Sequence, residues 1–497
     1  MLRSMRSSLG LGSRARAAYR SAAARTVPTP TYFSRGNATA ATPVKTEAKQ
    51  EAKQQYVTLQ EIDRLLTHIS QSSKKAKDDT PLVMRAHPVP WMKPEYITPE
   101  LSGQAAKKKE EVPPLTAEEK KQFMAPKHMS ASYTSFVLPL ASNPRLYDKY
   151  VNFAGGFQHL DSLAGAVGYR HCLARDDRDA SEDFHNQSAR AGIFIATASA
   201  DRLDMFGCLN HENVRDLKFS GFVTWTGRSS MEVFVKMEGM GKPGTDKTDT
   251  LMLGRFSMVC RDSHTYKAHP VPPLIVETPE EQALWDIGQA HKEERGRLSK
   301  LTLDKQAPSG EESRDLHSFM LATRGKHELD GKKLIKMKDT EMSSVQIMFP
   351  QERNLHGNVF GGFLMRQAFE LAFTNAAVFA GKPPRFLALD KIEFKLPVPI
   401  GAILWLKSKV VYCEEPTGGP YGEAKMHIIV KAEVEDVKTG SRNETNTFFF
   451  TMVKDNMENL KKIVVPDTYI EAMQYLEGER RIEVGDEVRR LYQAGVH

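Results

Sequence analysis

The sequence predicts an α+β protein made of two tandem copies of one unit, each a curled antiparallel sheet wrapped around a long central helix. Three observations carry that expectation. First, "NVFGGFLMRQAFELAFTNAAVFAG" sets two glycines before a helix-length run that is apolar almost all round, with Arg366, Glu370 and Thr374 as one polar stripe. Second, the segments after it alternate apolar and polar residues between turn signals, the mark of strands with one covered face. Third, the whole order recurs about two hundred residues apart, a period that means tandem domains and no solenoid.

The first 36 residues hold seven arginines, and no acidic residue occurs before Glu47. With their Ser and Ala content, residues 1–46 read as a mitochondrial transit peptide. They also account for the basic balance. The chain has a formal charge of +7, of which residues 1–46 supply eight positive charges, leaving −1. A near-neutral remainder gives no warrant for a nucleic-acid partner. No run is long and apolar enough to be a transmembrane segment. The four cysteines, Cys172, Cys208, Cys260 and Cys413, lie far apart without a C-x-x-C, which fits free thiols in a reducing matrix.

Residues 47–125 are charged and read as largely extended, with "VTLQEIDRLLTHI" as a short amphipathic helix and little core. The first domain is expected over 126–277. It opens on the strand "ASYTSFVLPL", continues to "NFAGGFQHLDSLAGAVGYRHCLA", then to "DLKFSGFVTWTGRSSMEVFVKM", and closes on "FSMVCRD". Residues 278–330 read as a polar, partly helical connector. The second domain, 331–497, opens on "SSVQIMFP" and reaches the helix quoted above. It continues to "DKIEFKLPVPIGAILWLKSKVVY" and closes on "FTMVKD" before a helical tail. Both copies contain N-x-x-G-G, as Asn152 with Gly155 and Gly156, and as Asn358 with Gly361 and Gly362.

Glycines at a helix mouth have a chemical use. The free N–H groups there can hold an oxyanion, and the missing side chains let a substrate reach the backbone. They equally permit a tight turn and close packing, so the motif alone decides nothing. Other motifs lead nowhere. "GMGKPG" matches a dinucleotide loop in letters, but Pro243 and a following strand make it a hairpin. The histidines lack metal-ligand spacing, so no metal is expected. No G-x-S-x-G occurs, which excludes the α/β-hydrolase framework.

Four stretches, "DLKFSGFVTWTGRSSMEV", "VCRDSHTYKAHPVPPLI", "SRDLHSFML" and "PQERNLHGNVFGGFLMRQAFELA", resemble the mitochondrial acyl-CoA thioesterase 9 family over roughly residues 115 to 485. The resemblance implies two fused hotdog domains and hydrolysis of acyl-CoA thioesters to a fatty acid and coenzyme A. It also implies association of chains into a homo-oligomer. Hydrolysis of that kind needs no cofactor, because coenzyme A is part of the substrate.

The resemblance further implies a composite site, with an asparagine just before the glycines of one copy and an aspartate seven residues after the second glycine of the other. Asn358 fits the asparagine position. Phe369 stands seven residues after Gly362, so the second copy has no aspartate there, and Glu370 is the adjacent carboxylate. In the first copy Asp161 follows Gly156 by only five residues, so that helix is shortened. The expected catalytic set is therefore Asp161, Asn358, Gly361 and Gly362, with Glu370 as the substitute carboxylate. Gly155 and Gly156 are the corresponding mouth of the first copy. Arg366, Arg385 and Lys391 are the candidates for the phosphates of coenzyme A. Two other readings compete. A hydratase or dehydratase would need a histidine–carboxylate pair on the central helix, but the second copy's helix has no histidine and His159 of the first, two residues before Asp161, points elsewhere on a helix. A non-catalytic acyl-CoA-binding or assembly protein would follow from a misplaced Asp161.

Overall fold

The computed structural model describes residues 115–141, 143, 156–173, 188, 190–207, 214–241, 248–298, 307–354, 358–390, 392–416, 423–454 and 459–494. The expected transit peptide and the helix "VTLQEIDRLLTHI" lie outside these residues, as do Asn152, Gly155 and Lys391.

The first described element corrects one expectation. Within the charged N-terminal region, Ala117–Phe123 forms helix α1, started by a capping box between Thr116 and Glu119. Leu115 and Phe123 are buried in the main core, so this segment is packed and not extended.

The first half then runs through β1 (Lys127–His128), β2 (Thr134–Leu138), the central helix α2 (Gly156–Leu173), β3 (Ile193–Ala200), β4 (Leu203–Met205), β5 (Leu217–Thr226), β6 (Ser230–Gly239), β7 (Asp249–Asp262) and β8 (Leu274–Ile275). Helices α3 (Pro279–Leu298) and α4 (Gly310–Thr323) follow. The second half contains β9 (Glu328–Leu329), β10 (Lys332–Lys336), β11 (Met342–Ile347), the central helix α5 (Gly361–Ala380), β12 (Arg385–Leu389) and β13 (Ile392–Glu393). It ends with β14 (Ile403–Glu414), β15 (Ala424–Glu435), β16 (Arg442–Lys454), β17 (Lys462–Val465) and the long helix α6 (Tyr469–Ala494).

One antiparallel sheet of twelve strands joins the halves. Its path is β11-β14-β15-β16-β12 on one side and β4-β7-β6-β5-β2 on the other, with β13 and β3 paired beside the β12–β4 junction. The register at the junction is reciprocal. Leu389 pairs with Leu203, and Ile392 pairs with Ala200. The halves thus meet across a pseudo-twofold axis, and α2 packs directly against α5 beneath it.

This register corrects the repeat alignment read from the sequence. β5 and β14 occupy equal places in the two halves, whereas "DKIEF" falls on the short junction strand β13. Its counterpart is "DRLDMF" at 201–206, which forms β4, and not "DLKF". The glycine-rich "GMGKPG" begins at the end of β6, which pairs antiparallel with β7, as expected of a hairpin.

α5 shows why its sequence is so apolar. Leu364, Met365, Ala368, Phe369, Ala372, Ala376 and Phe379 are all buried at helical spacing. Full burial of a side chain such as Phe369 contributes about 1.5–3 kcal/mol. The polar stripe Arg366–Glu370–Thr374 lies on the less buried flank. At the far end Gly381 adopts φ 77°, and its N–H bonds to the Ala377 carbonyl, closing the helix. On the opposite face of the sheet, α3 covers β5 and α6 covers β14 and β15. The expected connector therefore supplies cover as well as linkage, with Leu284 of α3 packed among Met129, Phe222, Phe234 and Leu253.

Candidate active site

α5 begins without a side-chain cap. Phe360 occupies the N-cap position and offers no acceptor, so the first N–H groups of the helix are left for other partners. The N–H of Gly362 donates to Asp161 Oδ2 at 2.7 Å, from one half of the chain to the other. Thr197 Oγ1, on β3, donates to Asp161 Oδ1 at 2.7 Å. One buried carboxylate is thus held from both halves.

Only glycine permits this approach. A Cβ on Gly362 would stand 2.8 Å from Gln158 Cα and 3.1 Å from Asp161 Cβ. A Cβ on Gly361 would lie 3.0 Å from Asp161 Oδ2 and 3.4 Å from the Phe394 ring. The paired glycines therefore permit close contact between the two helices and let Asp161 reach the Gly362 amide.

Asp161 is 3% exposed, and burial pushes its pKa up to about 6, against the opposing pull of the Thr197 and Gly362 hydrogen bonds. A carboxylate so poised is a stronger base than a solvated one and is still ionised near neutral pH. Asp161 sits in the second turn of α2, directly opposite the Gly361-Gly362 mouth.

One expectation changes here. Gly362 does not offer a free N–H for an oxyanion, because Asp161 already occupies it. The amide of Gly361, the first residue of the uncapped helix, is the remaining donor. Asn358 stands three residues earlier, in a backbone loop where Asn354 N–H donates to the Asn358 carbonyl at 2.7 Å and Val359 N–H donates to Val398.

Glu370 and the basic candidates are placed differently. Glu370 accepts from Arg366 Nε at 2.7 Å on the half-exposed flank of α5, an ordinary i, i+4 ion pair. Arg366 also reaches Gln158 of α2 at 3.5 Å, which keeps it beside the site. Arg385 is not brought there. It follows the C-terminal end of α5, roughly 30 Å along the helix from Gly361, and pairs with Glu423 at 2.6 Å.

Gly156 begins α2, and the next residue, Phe157, packs against Phe369, Phe386 and Phe450 with ring centroids 5.3, 5.5 and 6.3 Å apart. Phe369 thus fills with an aromatic ring the place equivalent to that of Asp161. His159 lies between Phe136 and Phe219, and burial pushes its pKa down to about 4. It is a neutral core histidine and forms no pair with Asp161.

Thr197 escaped the sequence reading. "IFIATASA" is an ordinary strand, and only its alternation with small residues marked that face as close to the central helix.

No family model matches the chain. It is 35% identical over 375 residues to "Acyl-coenzyme A thioesterase 9, mitochondrial" of Homo sapiens, covering 72% of this chain and 78% of that protein. It is 34% identical over 377 residues to "Acyl-coenzyme A thioesterase 10, mitochondrial" of Mus musculus, covering 73% and 80%. Against "Acyl-coenzyme A thioesterase 2, chloroplastic" of Humulus lupulus it is 32% identical over 381 residues, covering 73% and 83%. Among solved structures it is similar to an acyl-CoA hydrolase from Staphylococcus aureus at 25% identity, over 33% of this chain and 96% of that one, with a TM-score of 0.29. The chain belongs to the acyl-coenzyme A thioesterase family that includes thioesterases 9 and 10.

Proposed function

We propose that this protein hydrolyses acyl-CoA thioesters in mitochondria, at one composite site between two tandem hotdog domains. The observation that carries this reading is the buried Asp161 carboxylate, bonded at 2.7 Å to the N–H of Gly362 at the uncapped mouth of the opposite helix. A mitochondrial thioesterase is the reading its relatives support. The matrix is the proposed compartment, and a homo-oligomer of such two-domain chains is the proposed assembly.

Asp161 acts as general base. Thr197 and Gly362 fix the carboxylate, which takes a proton from the water that attacks the thioester carbon. The carbonyl oxygen becomes an oxyanion and is held by the Gly361 N–H, with the dipole of α5 behind it and the Asn358 carboxamide as second donor. Collapse of the tetrahedral intermediate breaks the carbon–sulfur bond, and the proton held by Asp161 goes to the departing thiolate. Arg366 is the proposed contact for a coenzyme A phosphate, because it stands beside the site with one guanidinium edge toward Gln158. No redox step or metal is required by this chemistry.

The test is release of free thiol from a panel of acyl-CoAs by wild type and Asp161→Asn. Wild-type turnover lost in the variant supports the base. Equal activity in both removes it, and binding without thiol release by the wild type points to a non-catalytic acyl-CoA-binding protein.

A further inference from the structure

The pseudo-twofold junction holds a buried chain of charges that the proposed chemistry does not use. Arg202, in the turn between β3 and β4, pairs across the junction with Asp390, which follows β12. It also donates from Nε to Asp204 at 2.8 Å. Arg489, on α6 and 1% exposed, donates to Asp204 at 3.2 Å and to Asp486 at 2.8 Å. Asp486 accepts in turn from the buried Lys425 of β15 at 2.8 Å. The series links β12, β4, α6 and β15, so α6 is fastened to both halves.

The helix sits as close as backbone can. A Cβ on Gly485 would fall 2.3 Å from an Arg202 guanidinium nitrogen, so any side chain there would push α6 or Arg202 away. The junction continues straight into the active site. Phe394, just past β13, bonds its N–H to the Ala198 carbonyl at 3.0 Å, and its ring lies against Gly361. Ala198 adjoins Thr197, which holds Asp161.

We propose that α6, through Arg489, is a positioning element for the reaction: it fixes the register of the two halves at their junction and thereby the contact between Asp161 and Gly362. The inference rests on the role of Asp161 as base and names what holds that base in place. Asp161 receives hydrogen bonds from Thr197 of β3 and Gly362 of α5, and burial with these two bonds sets its ionisation. The charged groups nearest on α5 are Arg366 and Glu370, paired to each other, and Glu352 precedes that helix. A slip of the junction would withdraw the Gly362 N–H, which favours the carboxylate, so the base would titrate at higher pH.

The experiment measures kcat and KM against pH for full-length wild type, Arg489→Met and Arg489→Lys, with the best substrate of an acyl-CoA panel. Arg489→Met is expected to lose roughly 10- to 100-fold in kcat, with KM little changed. Its acid limb is expected to move up by about half a pH unit or more, and Arg489→Lys should recover part of both effects. Should Arg489→Met not fold, Asp486→Asn, at a half-exposed position on the same link, is expected to shift the limb the same way. A limb that stays at the wild-type pH, with activity falling only as the folded fraction falls, overturns the proposal. Asp161→Asn measured alongside separates two failures. Activity retained there sinks the base itself, whereas an inactive Asp161→Asn beside an unshifted Arg489 limb sinks only the positioning role.

Discussion

The two central helices are built on one plan and carry opposite fillings. α2 presents a buried carboxylate to the mouth of α5, where two glycines leave an amide open. α5 presents Phe369 toward the start of α2, where Phe157 closes the space with a second ring. The same crossing of helices therefore yields a polar site on one side of the pseudo-twofold axis and a packed aromatic cluster on the other. Among the described residues, the two helices thus differ in placing Asp161 on one side and Phe369 on the other. The helices also differ in cover, since α2 is buried along nearly all its length and α5 keeps a partly exposed flank with Arg366 and Glu370.

Several substitutions break this contrast, and the largest effect is expected at Asp161. Asp161→Asn should lower kcat by about 10²–10⁴-fold in a thiol-release assay, because it removes the proposed general base with little change of shape. The reverse side should respond in stability. Phe369→Ala is expected to cost about 3–5 kcal/mol in chemical denaturation, since its ring is 1% exposed and touches Phe157, Phe373, Phe386 and Phe450. A change below about 1 kcal/mol would contradict close packing of Phe369 in this aromatic cluster. Gly362→Ala should reduce kcat by roughly 100-fold, because its Cβ meets the backbone of Gln158 at 2.8 Å and separates the helices.

Stability against pH offers a fourth measurement. The Asp161 pKa rises from 3.8 to about 6 on folding. The folded chain therefore binds more protons than the unfolded one between those values, and stability from this group is complete below 3.8 and is lost as pH rises through about 6. Asp161→Asn escapes that loss, so relative to wild type it should gain on the order of 3 kcal/mol at pH 8 over its value at pH 3. A constant difference across the range would contradict the raised pKa. The smallest effect belongs to Glu370→Gln. It removes one half-exposed ion pair, worth about 0.3–0.5 kcal/mol, and should leave kcat within about twofold of wild type.

Much of this was legible from local pattern. The apolar run of α5, its paired glycines and the alternation of the strands each report a period or a turn, and these are properties of neighbouring residues. Asp161 and Gly361-Gly362 were expected from the family resemblance, and the structure places them in contact. Three things were not legible. Thr197 looks like any strand threonine until β3 is laid beside α2. The repeat alignment slipped because "DLKF" matches "DKIEF" in letters, whereas the junction pairing of β4 with β12 and β13 with β3 is a long-range fact. The use of the Gly362 N–H depended on how far the shortened α2 slides along α5, which no spacing within one helix determines.

The bond from Gly362 to Asp161 joins residues 201 positions apart. Contacts of such sequence separation close late, after each half has formed its own sheet around its own helix. A chain with only one finished half therefore lacks this bond. On the proposed role of Asp161, thiol release during refolding is expected to time the last step of assembly, well after helix and strand signals have reached their native values.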